Sequence, residues 1–177
     1  MTEVGIFFGS SKGATKRVAR KIAHAFGGET QVHDVKKACL ADVERCDLVI
    51  FGSPTYEKGK LQEHWKDFLK VLKETDLSDK LVAVFALGDQ KKYPKTFADA
   101  LAPLAKRARK GGARLIGRWS ADGYSFKESK GLKKGRFLGL VIDDDRQAAM
   151  TTDRVIAWVA QLKDELADAE REAAAGA

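Results

Sequence analysis

Three short stretches carry the residue types that can hold an anion at one end and a flat ring at the other. The first is Gly9-Ser10-Ser11-Lys12-Gly13-Ala14-Thr15. Small residues and glycines let its backbone curl so that several N–H groups aim at one point. Ser10, Ser11 and Thr15 add hydroxyls, and a helix starting after them would add the positive end of its dipole. That combination suits a phosphate monoester. The spacing matches neither the Walker A pattern of nucleoside triphosphatases nor the Gly-x-Gly-x-x-Gly of dinucleotide binders. The second stretch is Gly52-Ser53-Pro54-Thr55-Tyr56-Glu57-Lys58-Gly59-Lys60, and the third is Ala86-Leu87-Gly88-Asp89-Gln90-Lys91-Lys92-Tyr93-Pro94. Each has glycine for close backbone approach and one tyrosine near its end. Tyr56 and Tyr93 could flank a planar aromatic ligand, each stack contributing about 0.5–1.5 kcal/mol beyond area burial.

Nothing else in the chain arranges itself for catalysis. His24, His33 and His64 are scattered with no paired-carboxylate pattern, so no nucleophile or general base is expected. Cys39 and Cys46 lack metal-ligand company, so both are expected to pack as reduced thiols. Met1-Thr2-Glu3-Val4 shows no basic-then-apolar leader. A reducing cytoplasm is therefore the expected setting.

The elements that must position the three stretches follow from the apolar pattern. With 177 residues, 44% apolar and 32% charged, the chain is expected to form one domain over residues 1–177. No apolar run approaches the roughly 20 residues that cross a bilayer, so no membrane span is expected. Val4–Phe8, Leu48–Phe51, Leu81–Phe85 and Phe137–Ile142 are short continuous apolar runs. Strands covered on both faces of a parallel sheet read this way. Thr30–His33 is a weaker candidate suited to an edge, and Arg114–Arg118 is another short strand. Between them lie helical stripes: Val18, Ile22 and Phe26; Leu61, Trp65, Phe68, Leu69 and Leu72; Phe97, Leu101, Leu104 and Ala108; and Val155, Trp158, Val159, Leu162 and Leu166. Pro103 is expected to kink the third stripe. Thr151 or Thr152 is expected to cap the last, and residues from about 169 onward are expected to fray. Alternating strands and helices imply a doubly wound sheet with helices on both faces. Ligands of such sheets sit beyond the carboxyl ends of the strands, where the strand order reverses. All three stretches follow a strand.

Charge is uneven. Lys and Arg total 32 against 25 Asp and Glu, for a net +7. Residues 91–136 hold 14 basic and only three acidic side chains, whereas 137–177 hold four and nine. The basic stretch has no nucleic-acid motif, so nucleic acid is not an expected partner.

Taken together these segments resemble flavodoxin. The resemblance rests on the first loop; on Pro54-Thr55-Tyr56 with Gly59; on Gly88-Asp89-Gln90 with Tyr93; on Trp119-Ser120-Ala121-Asp122-Gly123-Tyr124-Ser125-Phe126; and on Gly139-Leu140-Val141-Ile142-Asp143-Asp144-Asp145-Arg146-Gln147. It spans residue 3 to about 168. It implies an α/β flavodoxin-like fold, a five-stranded parallel sheet in the order 2-1-3-4-5 with FMN at the switch point. It also implies the long-chain class, whose fifth strand is interrupted by an insertion, here about 119–136. Arg114–Arg118 and Phe137–Ile142 would then be that strand's two halves. Ser10, Ser11, Lys12, Gly13, Ala14 and Thr15 would hold the FMN phosphate. Tyr56 and Tyr93 would flank the isoalloxazine, with Pro54, Thr55, Lys58 and Gly59 shaping one loop and Leu87, Gly88, Asp89 and Gln90 lining the pyrimidine edge. The Glu57 carbonyl would accept a bond from flavin N5–H on half-reduction, and Asp145 would bond the ribityl chain. Against the family's usual pattern, Lys12 replaces a Ser or Thr and Tyr56 replaces a Trp, and the net charge is basic where relatives are acidic. The implied function is a low-potential one-electron carrier, a monomer exchanging electrons with redox proteins. Ferredoxin/flavodoxin-NADP reductase and nitrogenase reductase, the latter in nitrogen fixation, are such partners, and the basic stretch would meet an acidic docking face. The alternative is an NAD(P)H-dependent quinone or azo reductase on the same fold.

Overall fold

The computed structural model describes residues 2–177; Met1 and the side chain of Glu57 lie outside the described residues. A parallel sheet forms from β1 (Val4–Phe8), β2 (Gln31–Asp34), β3 (Leu48–Pro54), β4 (Leu81–Leu87) and β5 (Arg114–Leu115) in the order 2-1-3-4-5. Each inner strand alternates its apolar side chains between two separate cores. Phe7, Val49, Phe51, Val82 and Val84 face α3 (Trp65–Lys73) and α4 (Leu101–Lys110). Ile6, Phe8, Leu48, Ile50, Ala83 and Phe85 face α1 (Ala14–Phe26) and α6 (Thr151–Ala175). That is why these strands read as unbroken apolar runs: both faces are covered. The edge strand β2, covered least, has no fully buried residue.

The fifth strand is indeed split. Its first half, β5, pairs Arg114 with Leu81, and its second half, β9 (Leu140–Ile142), pairs Leu140 with Phe85 and Ile142 with Leu87. Both halves are shorter than expected from Arg114–Arg118 and Phe137–Ile142. Gly117 turns out of the strand with φ 81, where Glu165 accepts its N–H at 2.8 Å and its carbonyl accepts the Trp158 indole N–H at 2.7 Å. Phe137 belongs to the insertion, which folds into its own antiparallel sheet of β6 (Trp119–Ser120), β8 (Arg136–Phe137) and β7 (Leu132–Lys133).

Other expectations give way to tertiary context. Phe97 lies outside α4, so Pro103 is only the third residue of that helix. A first-turn N–H has no partner in the helix anyway, and no kink follows. The last helix is preceded by Met150 without a side-chain cap; Thr151 opens the helix and its hydroxyl donates instead to Asp144. The helix runs on through Ala175, across the tail expected to fray. Thr2 Oγ1 donates to Glu170 at 2.9 Å and Arg114 pairs with Glu172. Of the two cysteines only Cys46 is packed; Cys39 is exposed at the start of α2 (Leu40–Glu44).

Candidate functional site

The order 2-1-3-4-5 reverses direction between β1 and β3, and the loops leaving these strands open a cleft of about 580 Å³. Its floor is the first loop. Gly9 N–H donates to Gly52 O at 3.1 Å, tying the two strand ends together. Ser10 Oγ accepts the Gly13 N–H at 2.9 Å, and Gly13 takes a left-handed φ of 89 to start α1. The first N–H groups of α1 are left facing the cleft without helical partners. Thr15 is 1% exposed, lines this cleft, and its Oγ1 has no hydrogen-bond partner. A buried hydroxyl without a partner costs about 1–3 kcal/mol. Its placement beside a helix N-terminus is that of a donor for an anion.

Walls come from the other two loops. Pro54, Thr55 and Tyr56 stand on one side, Leu87, Gly88, Asp89 and Tyr93 on another, and Asp144 and Asp145 close the end. Thr55 N–H donates to Leu87 O at 2.9 Å, holding the two walls together. Tyr56 is 38% exposed, one of few large apolar faces left in solvent. Beyond it, Lys58 and Gly59 both take left-handed backbone, φ 56 and 77. Gly59 has no alternative: a Cβ there would lie 2.5 Å from Asp99 Oδ2.

The structure thus gathers Ser10, Ser11, Lys12, Ala14, Thr15, Pro54, Thr55, Tyr56, Leu87, Gly88, Asp89, Tyr93 and Asp145 around one cleft. Gly13 shapes the floor from behind. Glu57 and Lys58 form the turn beyond Tyr56, and Gly59 lines a neighbouring apolar cleft with Tyr56, Leu61 and Pro103. Gln90 is absent from this lining, and its side chain is engaged elsewhere. It is buried and faces away, donating to Asp143 Oδ2 at 2.8 Å while its Oε1 accepts the Ser125 N–H. Its role is to fasten the loop to the insertion. Sequence reading passed over Arg17 and Asp144, which line the cleft, and Gln62, whose Nε2 donates to Ser11 Oγ at 3.2 Å. The 3.6-residue period puts Arg17 one turn from Gly13 and could have found it.

Asp89 carries the site's clearest charge pairing. Its Oδ1 accepts from Arg146 Nε at 2.9 Å and from the N–H groups of Lys91 and Lys92. Burial pushes its carboxyl up, but the Arg146 and backbone bonds outweigh that and hold it below the usual value. Asp89 therefore stays ionised and fixes the loop. Among the described residues no group of His, Cys, Asp and Glu could hold a metal ion.

An open, doubly wound parallel sheet with a cleft at its switch point, floored by a helix N-terminus and walled by two tyrosines, is the architecture of the mononucleotide-binding class of α/β proteins. The family model for flavodoxin matches residues 6–158. The flavodoxin of Nostoc sp. is 40% identical over 164 residues, covering 92% of this chain and 96% of that protein. Flavodoxin 1 of Escherichia coli is 42% identical over 168 residues, 94% of this chain and 96% of its own. The crystal structure of Fusobacterium nucleatum flavodoxin bound to flavin mononucleotide superposes with a TM-score of 0.88 at 28% identity, covering 93% of this chain and 99% of that one. The chain belongs to the flavodoxin family.

Proposed function

We propose that this protein is a one-electron carrier whose cofactor is FMN, held without a covalent bond in the cleft between β1, β3 and β4. The observation that carries the reading is the unpartnered Thr15 hydroxyl at the floor, beside the α1 N-terminus and beneath two tyrosine-bearing walls. Bound there, FMN supplies one-electron redox chemistry; the protein binds, orients and tunes. Thr15, Ser10, Ser11 and the N–H groups at the start of α1 hold the phosphate, and Lys12 and Arg17 add positive charge to it. Tyr56 and Tyr93 flank the ring. Leu87, Gly88 and Asp89 bound one edge, and Asp145 reaches the ribityl chain. The Lys58–Gly59 turn, already in left-handed backbone, is the part able to reorient its peptides at small cost.

The carrier reading is preferred to an NAD(P)H-dependent reductase because Tyr93 lines the cleft where a second flat ligand would have to stack on the ring. In this reading residues 1–177 form one domain that works in the cytoplasm; among the described residues no helix is long and apolar enough to cross a membrane. Its partners are redox proteins with an acidic docking face, met by the cations around the cleft.

Titration of the apoprotein with FMN and with riboflavin tests the reading. FMN is expected to bind at least about a hundredfold more tightly, since charge-assisted hydrogen bonds to a phosphate contribute about 1.5–3 kcal/mol each. Equal affinity for the two, or a protein that stays colourless in excess FMN, would overturn it. Rapid reduction on mixing the loaded protein with NADPH alone would favour the reductase.

A further inference from the structure

Residues 94–100 form a shelf between the insertion and the Lys58–Gly59 turn. From the insertion side, Lys127 and Glu128 donate their N–H groups to Pro94 O at 2.7 and 2.9 Å, and Phe97 N–H donates to Glu128 O at 3.3 Å. Gly131 lies so close that a Cβ on it would come 2.9 Å from Ala98 O. Under this hold Ala98 takes φ 54, a left-handed conformation costing an alanine about 1–2 kcal/mol. Strain of this kind persists only where the surroundings impose it, and it gathers at functional sites. What it achieves here is the aim of the next side chain. Asp99 is 2% exposed, its Oδ1 accepts the Lys130 N–H at 2.7 Å, and its Oδ2 lies against Gly59. Beside it, Ala100 N–H reaches Thr55 Oγ1 at 3.4 Å.

We propose that Asp99 is a positioning residue for the Lys58–Gly59 turn, and that its buried carboxylate, held by the insertion at Lys130, sets which way the peptides of that turn point. The inference rests on the reading of the cleft as an FMN site. Gly59 and Lys60 donate their N–H groups to Tyr56 O at 2.9 and 3.2 Å, so the carboxylate acts on the turn by repelling any carbonyl oxygen that would swing toward it, a repulsion stronger in a poorly hydrated interior than in water. An ionised Asp99 therefore pre-organises the turn for its ligand, so less ordering remains to be done on binding. A protonated Asp99 lets the turn sample other orientations.

The charged groups around it are few. Lys130 and Glu128 approach from the insertion, Lys58 and Lys60 flank Gly59 on the turn, and α4 brings no ionisable side chain in its first turn. Burial raises the Asp99 pKa above the usual carboxylate value, against the pull of the Lys130 N–H and ammonium, with Glu128 adding to the rise.

Asp99→Asn keeps the size of the side chain and the acceptor for Lys130 N–H while removing the charge. The full-length apoproteins, wild type and Asp99→Asn, are titrated with FMN between pH 4.5 and 8. The titration of the FMN phosphate is common to both and cancels in the ratio of their dissociation constants. That ratio, variant over wild type, is expected to rise with pH by about tenfold, because a free protein that holds the Asp99 proton more tightly than the loaded one binds FMN more weakly at low pH. A constant ratio overturns the proposal, and so does a falling one, which would mean that Asp99 merely repels the anion. If Asp99→Asn fails to fold, the exposed Glu128→Gln decides: it is expected to move the wild-type profile to lower pH, and an unmoved profile overturns the proposal. Failure of the wild type to bind FMN at all would instead remove the cofactor reading.

Discussion

A buried hydroxyl left without a partner weakens a fold, and Thr15 makes this measurable. Its buried hydroxyl has no partner in the free protein. Thr15→Val keeps the shape and removes the polar group, so the apoprotein is expected to gain about 1 kcal/mol, or a rise in Tm of about 2–4 °C. FMN affinity is expected to fall about 10- to 100-fold, because a charge-assisted bond to phosphate is lost, while riboflavin affinity stays unchanged. Calorimetry of the apoprotein with ligand titrations checks both signs; a lower Tm with unaltered FMN affinity would remove Thr15 from the phosphate site. The cysteines offer a second test. Burial pushes the Cys46 thiol up to about 11, whereas Cys39 is exposed. At pH 8 Cys46 is thus protonated and covered, and a thiol reagent is expected to label one cysteine in the folded chain and two after denaturation. At this scale the sequence showed the small-residue floor and the tyrosines, because those residue types carry their chemistry wherever the loop goes. It could not show that Gln90 turns its back on the cleft. Its partners Asp143 and Ser125 lie 53 and 35 positions away, and only the folded sheet brings them near.

Elements were more legible than their ends. The continuous apolar runs located β1, β3 and β4 because burial on both faces leaves no other composition to choose. The fifth strand was harder, since its halves contribute only Arg114–Leu115 and Leu140–Ile142, too short for a period to register. What determines where it resumes is a backbone contact: a Cβ on Gly139 would lie 1.8 Å from Val84 O. Main chain on main chain leaves no side chain to rotate away. Gly139→Ala is therefore expected to push β9 off β4 and to cost about 3 kcal/mol, the upper end of overpacking. Gly135→Ala, in the insertion, meets nothing within 4 Å but carries φ 77, so about 1 kcal/mol of backbone strain is expected. Urea unfolding of both separates the two, and equal losses would argue against the close approach at Gly139. Pro103 teaches the complementary lesson: a proline's effect depends on its helix position, and a start set by the fold at Leu101 made it harmless.

At the scale of the molecule, the sequence placed the excess charge in residues 91–136, but the fold distributes it differently. The cations around the two adjoining clefts are Lys12, Arg17, Lys60, Lys66 and Lys92, most of them from the first half of the chain. Glu63, Asp89, Asp144 and Asp145 stand among them, Asp89 being paired with Arg146. Helix α4 carries Lys106, Arg107, Arg109 and Lys110 in its last turns, and β7 and β8 carry Lys133 and Arg136. The ligand's surroundings are therefore positive for reasons a count along the chain does not reveal. A positive rim accelerates encounter with an acidic partner and slows it with a basic one. At 10 mM ionic strength the Debye length is about 30 Å and several rim charges act together; near 1 M it is about 3 Å and each acts alone. Electron exchange with an acidic redox protein is accordingly expected to slow by an order of magnitude or more over that range, within the span of electrostatic steering. Lys66→Glu tests the rim without touching the FMN cleft, because Lys66 lines only the neighbouring one. Reversing one exposed charge changes the attraction to a facing anion by about 2 kcal/mol at 4 Å in water, and side-chain motion and salt leave part of that. The variant is expected to react several-fold more slowly at low salt and at the wild-type rate near 1 M. Stopped-flow rates that ignore both salt and the reversal would mean that partners meet this protein through shape alone.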